Sequence, residues 1–143
     1  MRKTAIALLF SLLPLNVFAA PASNDAEEMG HLAGVILACG LYKPLYQFEE
    51  ILSRYFSNTA GGPEAEKAIL KQYAQAKASA FNIYRQRKSE CAATINDFMR
   101  MPIFRSELYS DGTVRLPDGK FLYPRGKKKL APDAQKIYPV PNE

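Results

Sequence analysis

The sequence predicts a mainly α protein, a small disulfide-linked antiparallel helical bundle of three to four helical segments, with a short C-terminal β-hairpin or meander. Three observations carry this. Apolar residues recur at helical spacing through most of residues 25–100. The two cysteines fall on two of those apolar faces. After Phe104, two Asp-Gly turn signals punctuate runs rich in β-branched and aromatic residues.

The chain opens with Met1, Arg2 and Lys3, an apolar run from Ala5 to Leu15, and the small-residue site Val17-Phe18-Ala19. This is the pattern of a secretory signal peptide, residues 1–19, with cleavage between Ala19 and Ala20. Cleavage one residue later would place Pro21 just past the scissile bond. A membrane-spanning helix would need about 20 apolar residues, and this run is shorter and contains Pro14. Ile36-Leu37-Ala38-Cys39 has the look of a lipid-attachment box, but "SNDAEEMGH" separates it from the leader, so lipidation is not expected.

Of 19 lysines and arginines two lie in the leader, leaving 17 against 14 acidic residues. Residues 20–100 balance nine of each sign, whereas residues 101–143 hold eight basic against five acidic residues. The surplus is therefore C-terminal.

Residues 20–104 read as the helical domain. Asn24 and Glu27 form a candidate capping pair. Met29, Leu32, Ile36 and Cys39 then keep a helical rhythm, and Gly40 supplies the left-handed residue that ends a helix. A second helix of about 12 residues starts near Pro44. It buries Leu45, Phe48, Leu52, Tyr55 and Phe56 and turns Glu49, Ser53 and Arg54 outward. "SNTAGGP" is a turn, after which Pro63, Glu64 and Glu66 open a third helix whose carboxylates favour the positive end of its dipole. Ile69, Tyr73, Ala76, Ala80, Tyr84, Cys91, Ile95 and Phe98 carry its apolar rhythm, with "RQRKSE" set to bend or split it before Pro102.

In an oxidising compartment Cys39 and Cys91 are expected to pair, stapling the first helix to the later part of the third. Closing a loop of about 50 residues stabilises the fold by on the order of 4 kcal/mol. A first helix ending in Cys39 and a late helix carrying Cys91, in a small exported helical domain, resembles the helical pilotins of bacterial type II secretion in cysteine placement and helix order. The usual lipobox of that family is missing here.

Residues 105–124 read as a β-hairpin appendage in which Tyr109, Val114 and Leu122 share one face over an end of the bundle. Residues 125–143, basic and then proline-rich, carry too little apolar surface to order themselves and are expected to form a tail.

Several chemistries are disfavoured. Glu28 and His31 form Glu-x-x-His, the spacing by which one helix aims two metal ligands, but a di-iron site needs a second such motif and His31 is the lone histidine. No Cys-x-x-Cys, haem-attachment, serine-hydrolase or phosphate-loop motif is present. Glu49 and Glu50 are adjacent on a helix and diverge by about 100°. Neither metal nor cofactor is therefore expected, and the protein is read as non-enzymatic.

Two surfaces remain as candidates. Tyr42 and Tyr46, one turn apart and off the main apolar stripe, are candidates for partner binding. Arg125, Lys127, Lys128 and Lys129 either attract an anionic membrane, an acidic glycan or an acidic protein, or simply keep the tail soluble. Nucleic acid is not expected, because aromatics are not interleaved with the basic run. These features point to an exported periplasmic binding or accessory protein, in envelope assembly or secretion, whose partner is another envelope or secreted protein. The alternative is a small secreted effector, or a periplasmic inhibitor or immunity protein.

Overall fold

The computed structural model describes residues 23–139. The signal peptide, its Ala19/Ala20 cleavage site and residues 140–143 lie outside the described residues. Four helices come first: α1 Ser23–Ala38, α2 Tyr42–Thr59, α3 Pro63–Tyr84 and α4 Cys91–Met99. A single 3₁₀ turn, Pro102–Arg105, leads into β1 Glu107–Tyr109, β2 Val114–Arg115, β3 Phe121–Leu122 and β4 Lys136–Tyr138. The strands form one antiparallel sheet in the order β3-β2-β1-β4. The fold is thus the expected helical bundle, and its disulfide joins Cys39 to Cys91 across Cα atoms 5.6 Å apart.

α1 is already helical at Ser23, which places Asn24 inside the helix. Gly40, at φ +79°, turns the chain out of the helix. α1 packs along α3 through a seam of small residues. A Cβ on Gly34 would fall on the Lys77 carbonyl oxygen, 2.7 Å from the Ala80 Cβ and 2.9 Å from the Phe81 backbone nitrogen. Gly30 faces the Tyr73 carbonyl in the same way, with the Ala76 Cβ at 3.0 Å. The two backbones therefore approach as closely as glycine allows. On α3, Ala80 alone is fully buried.

α2 runs for 18 residues, longer than expected, because Pro44 sits in its first turn, where no intrahelical N–H bond is needed. Leu45, Phe48, Leu52, Tyr55 and Phe56 are buried as predicted, joined by Ile51. This stripe meets α1 through Ile36 and the later elements through Phe98, Ile103, Leu108, Val114 and Leu116, giving one core shared by bundle and sheet. Phe48, Phe98 and Phe104 form its aromatic centre, with ring centroids 5.1 Å apart for Phe48–Phe98 and Phe98–Phe104. Each fully buried phenylalanine stabilises the fold by about 2–3 kcal/mol. Glu49, expected to face outward, instead reaches α3 and accepts hydrogen bonds from the Tyr73 hydroxyl at 2.8 Å and the Lys77 ammonium.

The predicted long third helix is split at Arg85–Glu90, where six polar residues offer nothing to a core. Cys91 therefore opens a separate helix, and the disulfide ties the end of α1 to the start of α4.

Both Asp-Gly turns form. Gly112 and Gly119 adopt φ +88° and +90°, and the Asp111 and Asp118 carboxylates each accept the N–H two residues on at 2.9 Å. The register differs from expectation at β1. Leu108, not Tyr109, pairs with Val114, which pairs in turn with Leu122. A shift of one residue exchanges the faces of a strand, so Tyr109 lies with Glu107 and donates its hydroxyl to that carboxylate at 2.8 Å. Asn58, near the end of α2, fastens the sheet by donating to the Gly112 and Leu122 carbonyls at 2.9 and 3.0 Å.

The expectation of an unordered tail is corrected. Residues 125–139 cross back over the molecule and end in β4, which pairs with the free edge of β1. The order comes from partners distant in sequence. The Ala131 N–H donates to Asp111 at 3.0 Å, and the Gln135 N–H donates to the Ser110 hydroxyl at 2.9 Å. Lys136 pairs with Glu107 at 2.6 Å. A segment with little apolar surface of its own can order when a sheet edge and side-chain acceptors await it.

Candidate functional site

Burying the Leu45–Phe56 stripe leaves the opposite side of α2 in solvent. Tyr42 and Tyr46 are 67% and 61% exposed, the two most exposed large apolar side chains among the described residues. A helix fixes them one turn apart at low entropic cost, since a tyrosine has few rotatable bonds. Half-buried Glu50 continues the same row one turn further on, at i+4 from Tyr46.

The Glu50 carboxylate raises the pKa of two tyrosines on separate elements. On α2, hydrogen bonding toward Glu50, followed by the carboxylate's charge, holds the Tyr46 phenol above the ordinary value. Tyr138 of β4 is pushed up to about 12, with hydrogen bonding toward the same carboxylate as the first cause, then burial and the carboxylate's charge. No lysine or arginine among the described residues forms an ion pair with Glu50. The sequence reading identified Tyr42 and Tyr46 but missed Glu50 and Tyr138. A tyrosine four residues before a glutamate was a visible sign for the first. The second had only the apolar pair Ile137-Tyr138 inside a polar segment to mark it.

The basic run divides. Arg125 reaches α3 and pairs with Glu66 at 3.2 Å, an exposed contact of about 0–1 kcal/mol. Lys127, Lys128 and Lys129 project from the turn that follows, where the Lys127 N–H donates to the Pro124 carbonyl at 2.9 Å. They are exposed and have no ion-pair partner among the described residues. Nearby in sequence, the Arg115 guanidinium lies 5.6 Å over the Phe121 ring. Phe121 is itself parallel to Tyr123, with centroids 5.9 Å apart.

On the α1 side, His31 is exposed and meets the edge of the Tyr84 ring at 5.7 Å. Glu27, Glu28, His31, Ala76 and Ser79 line an open depression of about 550 Å³. A smaller hollow of about 250 Å³ continues from His31 past Tyr84 and Arg87 to the disulfide. Among the described residues no group of three or more His, Cys, Asp or Glu side chains is arranged to hold a metal ion. Both cysteines are joined in the disulfide, so no free thiol is present. Glu49 is engaged by Tyr73 and Lys77 of α3, whereas Glu50 forms no ion pair among the described residues.

No helix of the described residues is long and apolar enough to cross a membrane. No protein-family model, curated protein or solved structure matches the chain.

Proposed function

We propose that the protein is a non-enzymatic binding or accessory protein of the periplasm, serving envelope assembly or secretion, and that it grips another envelope or secreted protein through Tyr42 and Tyr46. The observation that carries this reading is the pair of large aromatic side chains held in solvent, side by side, on a helix anchored by the main core. Aromatic anchors on a rigid element are the commonest energetic centres of protein interfaces, because they bury much area while losing little freedom. The disulfide and the leader-like N-terminus support the compartment. The three unpaired lysines supply a second, electrostatic contact with an anionic membrane or glycan surface.

The test is photocrosslinking in the producing cell, with a benzophenone amino acid at position 42 or 46 and a control at exposed Ala68 on α3. A discrete adduct from the two tyrosine positions and none from Ala68 is expected. Absence of adducts at both, or an identical pattern from Ala68, would remove the proposal. Fractionation of the same cells reads the compartment independently.

A further inference from the structure

We infer that the stretch from Lys120 to Lys129 is a docking surface for an anionic phospholipid membrane, in which Lys120, Lys127, Lys128 and Lys129 meet the headgroups and the Phe121 ring enters the interface between them. This inference rests on the export reading above and commits its basic contact to lipid. Residues 119–132 carry five cationic and no anionic side chains, with Phe121 and Tyr123 between Lys120 and the basic run. A tail kept only for solubility needs no fixed geometry, yet this stretch is held along its length. Asn58 donates to the Leu122 carbonyl at 3.0 Å, Arg125 is tied to Glu66 at 3.2 Å, and the Ala131 N–H donates to Asp111 at 3.0 Å. Between these, the Lys127 N–H closes a turn on the Pro124 carbonyl at 2.9 Å, with Gly126 at φ +81°. Such a turn brings its first and last Cα atoms within about 7 Å of each other. The three lysines therefore start close to Tyr123, while exposed Lys120 stands at the other end of β3, and cations bracket the two rings.

The side chains present select lipid over a glycan or an acidic protein. Phe121 is 36% exposed on the terminal strand of the sheet. Its orientation is fixed by the Arg115 guanidinium, 5.6 Å over its ring, and by the parallel Tyr123 ring, 5.9 Å away between centroids. An apolar ring with cations on either side suits the headgroup boundary, where the ring leaves water while the charges stay in it. A sugar needs amide, carboxylate or hydroxyl-bearing partners to orient it against a ring, and residues 119–132 hold no Asn, Gln, Ser, Thr, Asp or Glu. The carboxylates of a protein surface, fixed in place, favour the arginine fork. Here the one arginine of the stretch is already tied to Glu66, and the cations left over are lysines, flexible point charges able to follow mobile headgroups.

The test is co-sedimentation of protein purified from the producing cell with vesicles of phosphatidylglycerol and phosphatidylethanolamine in equal parts, against vesicles of phosphatidylcholine and phosphatidylethanolamine. Binding to the anionic vesicles alone, weakened by raised salt, is expected. Each lysine near an anionic surface strengthens binding about fivefold, so Lys127→Gln, Lys128→Gln and Lys129→Gln together should weaken it about 100-fold. Removing the same charge from scattered exposed positions, through Lys43→Gln, Lys71→Gln and Lys88→Gln, should weaken it by less than about tenfold. Phe121→Ala should weaken it by about threefold or more. Equal binding to the two kinds of vesicle would overturn the inference without recourse to any variant. So would equal losses in the two triple variants, an affinity unchanged by Phe121→Ala, or tighter binding to soluble polygalacturonate, an acidic glycan, than to the anionic vesicles. Crosslinking from positions 42 and 46 judges the tyrosine ridge separately, so failure on vesicles leaves that reading standing.

Discussion

Replacing Gly34 with alanine should destabilise the protein by about 2 kcal/mol, although alanine is the better helix former by about 1 kcal/mol. The reason lies in what the new methyl group would meet. It falls on the Lys77 carbonyl oxygen and within 2.7 Å of the Ala80 Cβ and 2.9 Å of the Phe81 nitrogen. Carbon atoms in contact sit about 3.5–4.0 Å apart, so α1 and α3 must part by about 1 Å. Two of the three obstacles are main-chain atoms, and no rotamer change relieves them. Overpacking of this kind costs about 1–3 kcal/mol. With the clash at the upper end of that range, and the gain in helix propensity set against it, about 2 kcal/mol remains. Urea denaturation followed by circular dichroism reads the difference directly. With a slope of about 1–2 kcal/mol/M for a domain of this size, the midpoint should fall by about 1 M or more. Gly61→Ala is the internal control, because a Cβ there meets nothing within 4 Å, and its change should stay within about 0.5 kcal/mol. A Gly34→Ala midpoint equal to or above that of the unsubstituted protein would refute the close-packed seam.

Two further outcomes are expected. Asn58→Ala removes both hydrogen bonds that fasten α2 to the Gly112 and Leu122 carbonyls, and should cost about 1–3 kcal/mol in the same urea assay; a change below about 0.5 kcal/mol would show that water replaces the side chain at no cost. Acid sensitivity should depend on Glu107, whose carboxyl is held below the ordinary range first by the hydrogen bond from Lys136, then by those from Tyr109 and Arg115, all against burial, which opposes them. Because the folded value is depressed, this stabilisation is fully present above the usual carboxylate pKa and is lost as pH falls through the lowered one. Glu107→Gln should therefore flatten the fall of the urea midpoint below about pH 4.5, and an unaltered acid limb would contradict the assignment.

Much of this architecture can be read from residue spacing, and its omissions have definite causes. α2 is legible because Leu45, Phe48, Leu52, Tyr55 and Phe56 announce a buried face by size and period. The seam on α1 is illegible by the same criterion, since Gly30 and Gly34 add nothing to an apolar rhythm although they bring α1 close against the backbone of α3. In the sheet, the Asp-Gly signals located both turns, but placing β1 one residue out put Tyr109 where Leu108 belongs. β4 escaped because its order derives from β1, Ser110 and Asp111 rather than from its own composition. The candidate site divides along the same line. Tyr42 and Tyr46 are local to one helix and visible in the sequence, while the effect of Glu50 on the Tyr138 phenol arises only once β4 has docked on β1.

The docking of β4 also decides how the three free lysines can be studied. Deleting the C-terminal segment looks like the natural way to ask what Lys127, Lys128 and Lys129 contribute. That cut would also strip one flank from β1, leave its main-chain donors and acceptors open to a neighbouring molecule, and carry Tyr138 away from Glu50. Lost activity in the shortened chain would conflate electrostatics with aggregation and with damage to the tyrosine ridge. Exchanging the lysines for glutamines in the intact chain isolates their charge, since none of the three forms an ion pair among the described residues.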